Sequence, residues 1–487
     1  MRAASFLLTA CLLVAACDRL DEDGVVDVAY IGTAASLFSS DPELEPGAQI
    51  LRSAQRQGLV RFNEVGEVVP ALAERWIVTD DGESYIFRIT EFDLPSGERL
   101  TAQTVAEELR GAVRKLDGTS LGLDLEKIQD IRAMTGRVIE IRLRSPMPGF
   151  LQLMAQPELG IALREGDPGP MVARLDGSTA ILDAIPPEQR GLSAQGDWED
   201  IVSEIRIGAY APAKAAEAFA RGEVDLLLGG RLETLPLAIT GALSRGTVRL
   251  DSAIGLFGLD VVRPTGFLAT AENRAALAMA IDRPGLMQQF NLGGWSGSTR
   301  IVGAGLPGDD GSVGERWADQ SIEQRRARAG GIVQQWEEGS GADASVSIFL
   351  PRGPGANFLF SALSRDLAAI GVSLRRVTER DEADLVLRDT TARYAGARWF
   401  LNQFNCALSA PVCSEDADYL VDLSLDAESP AEGASYLAEA EQVLTQTNLY
   451  IPLGSPIRWS QVRAGVEGFS ENPMAFHPLF PLSRAPI

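Results

Sequence analysis

GLVRFNEVGEVVPALAERWIVTDDGESYIFRI, residues Gly58–Ile89, holds the densest ordered pattern in this chain. It opens as a short amphipathic segment, turns through the polar residues Asn63–Gly66, and continues into Pro70-Ala71-Leu72, which reads as a Pro-started helical turn. Beyond Trp76 the residues alternate, and Asp80-Asp81-Gly82 separates this run from Tyr85, Phe87 and Ile89, which share one face. Two alternating runs around an Asp-Gly turn predict a β-hairpin. Nothing in the stretch has catalytic character.

On its N-terminal side, Arg2 precedes an apolar run, Phe6–Ala16, that is too short to span a bilayer and fits a secretory signal. The end of that run, Leu13-Val14-Ala15-Ala16-Cys17, resembles a bacterial lipobox, which implies cleavage before Cys17 and acylation of it. Asp18 after the Cys resembles an inner-membrane retention signal. Cys11 leaves with the signal, so Cys406 and Cys413 remain, and in an exported protein they are expected to pair as a local disulfide. A metal site is not expected, because His477 is the sole histidine. The formal charge of −23 repels phosphate backbones and argues against a nucleic-acid partner. About 470 residues after the signal exceed one core and imply two or three domains.

Residues 17–25 read as a tether, followed by a strand through Val26, Val28 and Tyr30. Past the central stretch, Thr101 is a candidate N-cap for a helix through Val105, Leu109 and Leu116. Ile139, Ile141 and Leu143 predict a half-wet strand. Residues 163–200, rich in Gly, Pro, Asp and Ser, read as a loop-heavy crossing. Ile205–Tyr210, Lys214–Arg221, Gly222 and Val224–Leu228 spell strand, helix, Gly cap and strand, a βαβ unit. Further strands are expected at Ile254–Asp260, Val346–Leu350, Val372–Val377, Ala383–Leu387 and Tyr450–Leu453, with helices at Asn273–Ile281 and Phe358–Ile370 and another through Leu437, Ala440 and Leu444.

Several of these blocks, in order, resemble the family 5 solute-binding proteins of peptide and nickel ABC transporters. The matching residues are Gly58-Leu59 with Pro70-Ala71-Leu72-Ala73-Glu74 and Trp76, Asp80-Asp81-Gly82 with Tyr85 and Phe87, the Asn273–Arg283 block, Gly305-Leu306-Pro307-Gly308, and Ile451-Pro452-Leu453. The resemblance implies an α/β, two-lobed periplasmic binding protein (type II, cluster C-like) with an extra subdomain in the first lobe. Its expected division is 26–50 with 168–262 and 465–487 as the first lobe, 51–167 as the extra subdomain, and 263–464 as the second lobe. It implies capture of a peptide or peptide-like solute and delivery to a membrane permease by a lipid-anchored, monomeric receptor outside the inner membrane. No cofactor and no catalysis are implied. A sugar, opine or metal-chelate binder is the alternative within the class; an exported hydrolase, a chaperone or a sensory lipoprotein lies outside it.

Arg398-Trp399-Phe400-Leu401-Asn402-Gln403-Phe404-Asn405-Cys406 is the segment best suited to a ligand. Amides offer donors and acceptors to a peptide backbone while Trp supplies an apolar wall, so Trp399, Asn402, Gln403 and Asn405 are candidate contacts. A buried strand with Trp399 in the core is the competing reading. In peptide-binding relatives an Asp three positions after the Trp pairs with the peptide's amino terminus; Asn402 stands there, so blocked, cyclic or non-peptide ligands fit better. Trp295, Arg352 and Thr33 are further candidates, as a cleft wall, a carboxylate receptor and a source of backbone N–H groups. His477 sits in an apolar terminal segment and reads as structural.

Overall fold

The computed structural model describes residues 24–91, 99–163, 166–238, 246–290, 292–408 and 412–484. The expected signal peptide, Cys11, Cys17 and most of the tether lie outside the described residues. Among the described residues, no helix is long and apolar enough to cross a membrane.

The chain enters through β1 (Val25–Ile31) and the helix Pro46–Gln55, then forms β2 (Val60–Phe62), β3 (Val68–Pro70), β4 (Ala73–Val78) and β5 (Ser84–Ile89). The hairpin expected around Gly82 is β4 against β5, with Trp76 opposite Phe87. Tyr85, Phe87 and Ile89 all point into the core. The expected helical turn at Pro70 is absent: Pro70 pairs with Val60 and Ala73 already lies in β4. Three helix-favouring residues cannot nucleate a helix when both flanks are held by strand pairing. The helix Ala102–Lys115 starts where expected, the Thr101 side chain accepting from the Thr104 N–H. With β6 (Ile128–Ala133) and β7 (Val138–Leu143) the order of this sheet is β4-β5-β7-β6.

The 163–200 stretch, read as a crossing, contains a hairpin of β8 (Met171–Asp176) and β9 (Thr179–Ala184). Its turn is Gly177-Ser178, with Gly177 at φ 61° in the first central position, a backbone conformation that favours glycine. It lies at the rim of the sheet, where Val172 and Leu175 stay exposed, and so lacks the apolar density of an inner strand. The βαβ unit follows as β10 (Glu204–Tyr210), the helix Pro212–Arg221 ended by Gly222 at φ 80°, and β11 (Leu226–Arg231). Its two strands are parallel but not neighbours, because β1 lies between them.

Next come β12 (Val248–Asp251), β13 (Gly255–Val261), β14 (Ser345–Phe349), β15 (Ser373–Val377), β16 (Leu385–Thr391), β17 (Tyr450–Gly454) and β18 (Arg458–Val462). A seven-stranded sheet runs β12-β18-β11-β1-β10-β9-β8, and a five-stranded sheet runs β15-β14-β16-β13-β17. The chain therefore passes from the first sheet to the second at 252–254 and returns at 455–457, which places 255–261 in the second sheet and 458–462 in the first.

One apolar core joins β1, β10 and β11 to the helix Pro46–Gln55 and to Leu479 and Phe480 near the C-terminus. A second lies between the helices and the five-stranded sheet, through Leu259, Leu277, Ile348 and Leu363. The third is continuous from the extra region, through Phe87, Leu121 and Phe150, into Tyr394, Trp399 and Phe404. The segment 397–402 is a helix, not a strand; its Trp399 is buried in the third core, and it docks on the helix Ser120–Leu125.

Candidate functional site

Between the seven- and five-stranded sheets lies a cavity of about 490 Å³. The first sheet contributes Tyr30, Gly229, Arg231 and Arg458; the second contributes Asp389–Arg393; the helix beyond it contributes Trp399 and Gln403. Glu43, Glu45, Phe62 and Ser120 close the remaining side.

The floor is shaped by the end of β11. Its pairing with β18 shifts register between Leu227 and Gly230, a bulge that re-aims the residues after it. Gly229 takes φ 82°, and any side chain there would strike the Tyr30 ring. A Cβ on Gly230 would lie 2.2 Å from the Trp459 ring, so only glycine permits the strands to approach. The Trp459 indole donates to the Arg231 carbonyl at 2.9 Å, fixing the backbone where the guanidinium enters the cavity.

Arg458 donates to Asp389 Oδ1 at 2.6 Å and to the Asp389 carbonyl at 3.2 Å, linking the two sheets across the floor. Arg393 pairs with Glu158, whose Oε1 also accepts from the Leu44 N–H. Glu43 accepts from the Ser120 hydroxyl at 2.7 Å. Burial raises the Tyr30 phenol against the pull of Arg231 and Arg458, so it stays a neutral donor. Burial and the Asp389 charge raise the Glu233 carboxyl at the edge of this group.

Of the residues expected from sequence, Gln403 lines this cavity, while Trp399 borders it from within the third core with 1% of its surface exposed. Asn402 does not: it is fully buried and donates to Asp124 Oδ1 at 2.7 Å. The same oxygen accepts from the Tyr394 hydroxyl at 2.9 Å, with Arg398 Nε 4.0 Å away. Asn405 is also buried, its side-chain Oδ1 accepting from the Ala407 N–H. Trp295 packs beside Gly454 and donates to the Ser455 carbonyl, at the return crossing between sheets. Arg352 lines a separate, more open hollow of about 710 Å³ with Arg376 and Arg380. Thr33 caps the short helix Ala34–Leu37, and its own N–H donates to the Ser36 hydroxyl at 3.1 Å, so that N–H is already engaged within the capping box. Cys406 and Cys413 are bonded, with Cα atoms 5.1 Å apart. His477 is buried, bonded to Asp251 at 3.2 Å and stacked on Phe469.

Sequence reading missed Arg231, Arg458 and Asp389. The signal for Arg231 was available: a Gly-Gly pair and then a charge, after a fully apolar strand, places that charge at the strand's carboxyl end, where α/β sheets bind ligands.

The family model for bacterial extracellular solute-binding proteins, family 5 (middle), matches residues 67–406. The chain belongs to this family. As a family 5 protein it has the two-lobed α/β fold, and solved relatives span nearly all of it. Haemophilus influenzae OppA, in complex with the peptide RPPGFSPFR, superposes with a TM-score of 0.78 at 14% identity, covering 95% of this chain and 99% of that one. The murein tripeptide binding protein MppA of Escherichia coli gives 0.75 at 16% identity, with 94% and 98% covered. AgaA from Agrobacterium tumefaciens R10, bound to agropinic acid, gives 0.67 at 16% identity, covering 95% and 99%. At these identities the likeness is one of fold. In sequence, the family 5 protein is 29% identical to the nickel-binding periplasmic protein of Escherichia coli (strain K12) over 116 residues, 23% of this chain and 22% of that protein. The matched stretch thus spans about a fifth of that relative's length.

Proposed function

We propose that this protein captures a small peptide or peptide-like solute in the cleft between its lobes and delivers it to the permease of an ABC importer. A lipid on Cys17 would hold the monomer at the outer face of the inner membrane. The observation that carries the reading is the cavity itself. Its lining comes from both sheets, and its volume of about 490 Å³ is within the range that encloses a small organic ligand. A ligand touching both walls favours the closed arrangement, which the permease can distinguish from the open one by shape.

We take the seven-stranded sheet as the first lobe, with 51–167 as its extra subdomain, and the five-stranded sheet with its helices as the second. Gln403, with Trp399 at the cavity's edge, is the wall residue we assign from the second lobe, and Arg231 and Arg458 are those from the first. The bound peptide in the OppA relative supports a peptide-like solute.

Native mass spectrometry of the purified protein tests this, with a retained small-molecule mass as the expected result. An empty protein that also shows no thermal shift with free or N-blocked peptides would overturn the reading.

A further inference from the structure

The extra region meets the second lobe along a seam built around the helix Ser120–Leu125. Lys127 crosses it to donate to the Ser424 and Leu425 carbonyls at 3.1 and 2.8 Å, just past the C-terminal end of the helix Glu415–Leu423. Arg144 crosses to pair with Asp426. Asp124 enters the same seam fully buried, and its Oδ1 accepts from the Asn402 amide at 2.7 Å and the Tyr394 hydroxyl at 2.9 Å. Two acceptors in this contact are left over. Asp124 Oδ2 and Asn402 Oδ1 are both buried, and neither receives a hydrogen bond.

An ionised Asp124 offers no remedy, since a carboxylate and an amide oxygen both only accept. Arg398 is the cation beside it, but its two Nη atoms donate to the Val421 and Leu123 carbonyls, and its Nε stays 4.0 Å from Oδ1. Glu43, bonded to Ser120, brings like charge. Tyr394, whose phenol burial keeps neutral, donates to Oδ1. A single proton on Oδ2 removes both deficits, because the acid can then donate to the amide oxygen while accepting from the amide nitrogen. Burial acts in the same direction and raises the Asp124 carboxyl to about 6.

We propose that Asp124 and Asn402 form a neutral acid–amide pair across the seam, so that closing of the lobes takes up one proton. This rests on the assignment of 51–167 to the first lobe made above, by which opening parts Asp124 from Asn402. In the open form the carboxyl returns to water and ionises near its ordinary value of about 4. The closed form therefore binds the proton more tightly. Closure is favoured as pH falls through about 6 and gains nothing further below about 4. Across that window the closed-to-open ratio rises at most about 100-fold, the span between the two values.

Small-angle scattering of the unliganded full chain at pH 5 and pH 7.5 tests this. The proteins are the wild type, D124N and D426N, each checked for folding by circular dichroism. D124N is an uncharged mimic of the protonated acid, and D426N cuts the neighbouring ion pair while leaving Asp124 in place. The wild type should have the smaller radius of gyration at pH 5, D124N the same small radius at both, and D426N should keep the step with pH. A wild-type radius that does not change, a step that survives in D124N, or one that D426N abolishes overturns the proposal. Carbon-13 labelling of aspartate side chains gives a second reading should D124N not fold. One carboxyl resonance of the wild type titrating near pH 6 is expected, and the absence of any such resonance overturns the pair. No solute is added, so failure to find a peptide ligand leaves this outcome standing.

Discussion

Asp124 shows how one side chain ties separate parts of this molecule together. It lies in the extra region, fully buried, and receives the Asn402 amide and the Tyr394 hydroxyl from the far side of the third core. Burial lifts its carboxyl to about 6, against the pull of Arg398 and the hydrogen bonds from Asn402 and Tyr394, with Glu43 adding a smaller upward push. A carboxyl raised in the folded state binds its proton before the unfolded chain does, so folding gains as pH falls from about 6 toward the unfolded value of about 4. Above pH 6 the charged carboxylate costs up to about 3 kcal/mol, an amount that Asp124→Asn should remove along with the pH dependence in that window. Urea denaturation at pH 4.5 and 7.5 reads this directly. The same contact explains why an amide suits position 402. A carboxylate there would stand 2.7 Å from Asp124 Oδ1, so Asn402→Asp should cost about 3 kcal/mol at pH 7.5 and less at pH 5, where the pair can share a proton.

Among elements, β11 is the one whose irregularity shapes the site. Its apolar run was legible as a strand, since Leu226, Leu227 and Leu228 are buried on both faces as an inner strand covered on both sides requires. The bulge after it was not legible, because it arises from pairing with β18 more than two hundred residues away in sequence. Gly230→Ala would press a Cβ against the Trp459 ring and carbonyl and should destabilise the protein by about 2–3 kcal/mol. Loss of bound solute at temperatures where the variant is still folded would accompany it, measured by calorimetric titration with whatever mass is retained from purification. The hairpin at Gly82 was readable because its turn and alternation are local. The one at Gly177 also turns on a glycine at positive φ, but its exposed edge residues masked the alternation.

For the whole molecule, the joint between lobes is the feature that matters. The chain crosses twice, at 252–254 and 455–457, and beside these crossings Arg458 from one sheet grips Asp389 from the other. A pair this close to the crossings should favour the closed arrangement of the lobes. Asp389→Asn keeps the shape but discards the charge attraction, so the unliganded protein should shift toward an open form. Small-angle scattering should then give a larger radius of gyration than the wild type without ligand, and the two should converge when ligand saturates both. An unchanged radius would mean that the pair does not hold the lobes together.

The sequence by itself determined the family, the α/β class, the hairpin at Gly82, the capped helix at Thr101 and the glycine-ended βαβ unit. Each of these rests on residues close together in the chain, where turn chemistry and periodicity act. Only the tertiary structure decided the site. It turned Asn402 and Asn405 into buried structural groups, packed Trp399 into the third core at the cavity's edge, left Gln403 on the wall, and sent Arg352 to another hollow. It brought Arg231, Asp389 and Arg458 together from three distant strands. Whether a polar side chain meets a ligand or another side chain depends on what packs against it, and that partner is set by the meeting of sheets, which no local pattern encodes.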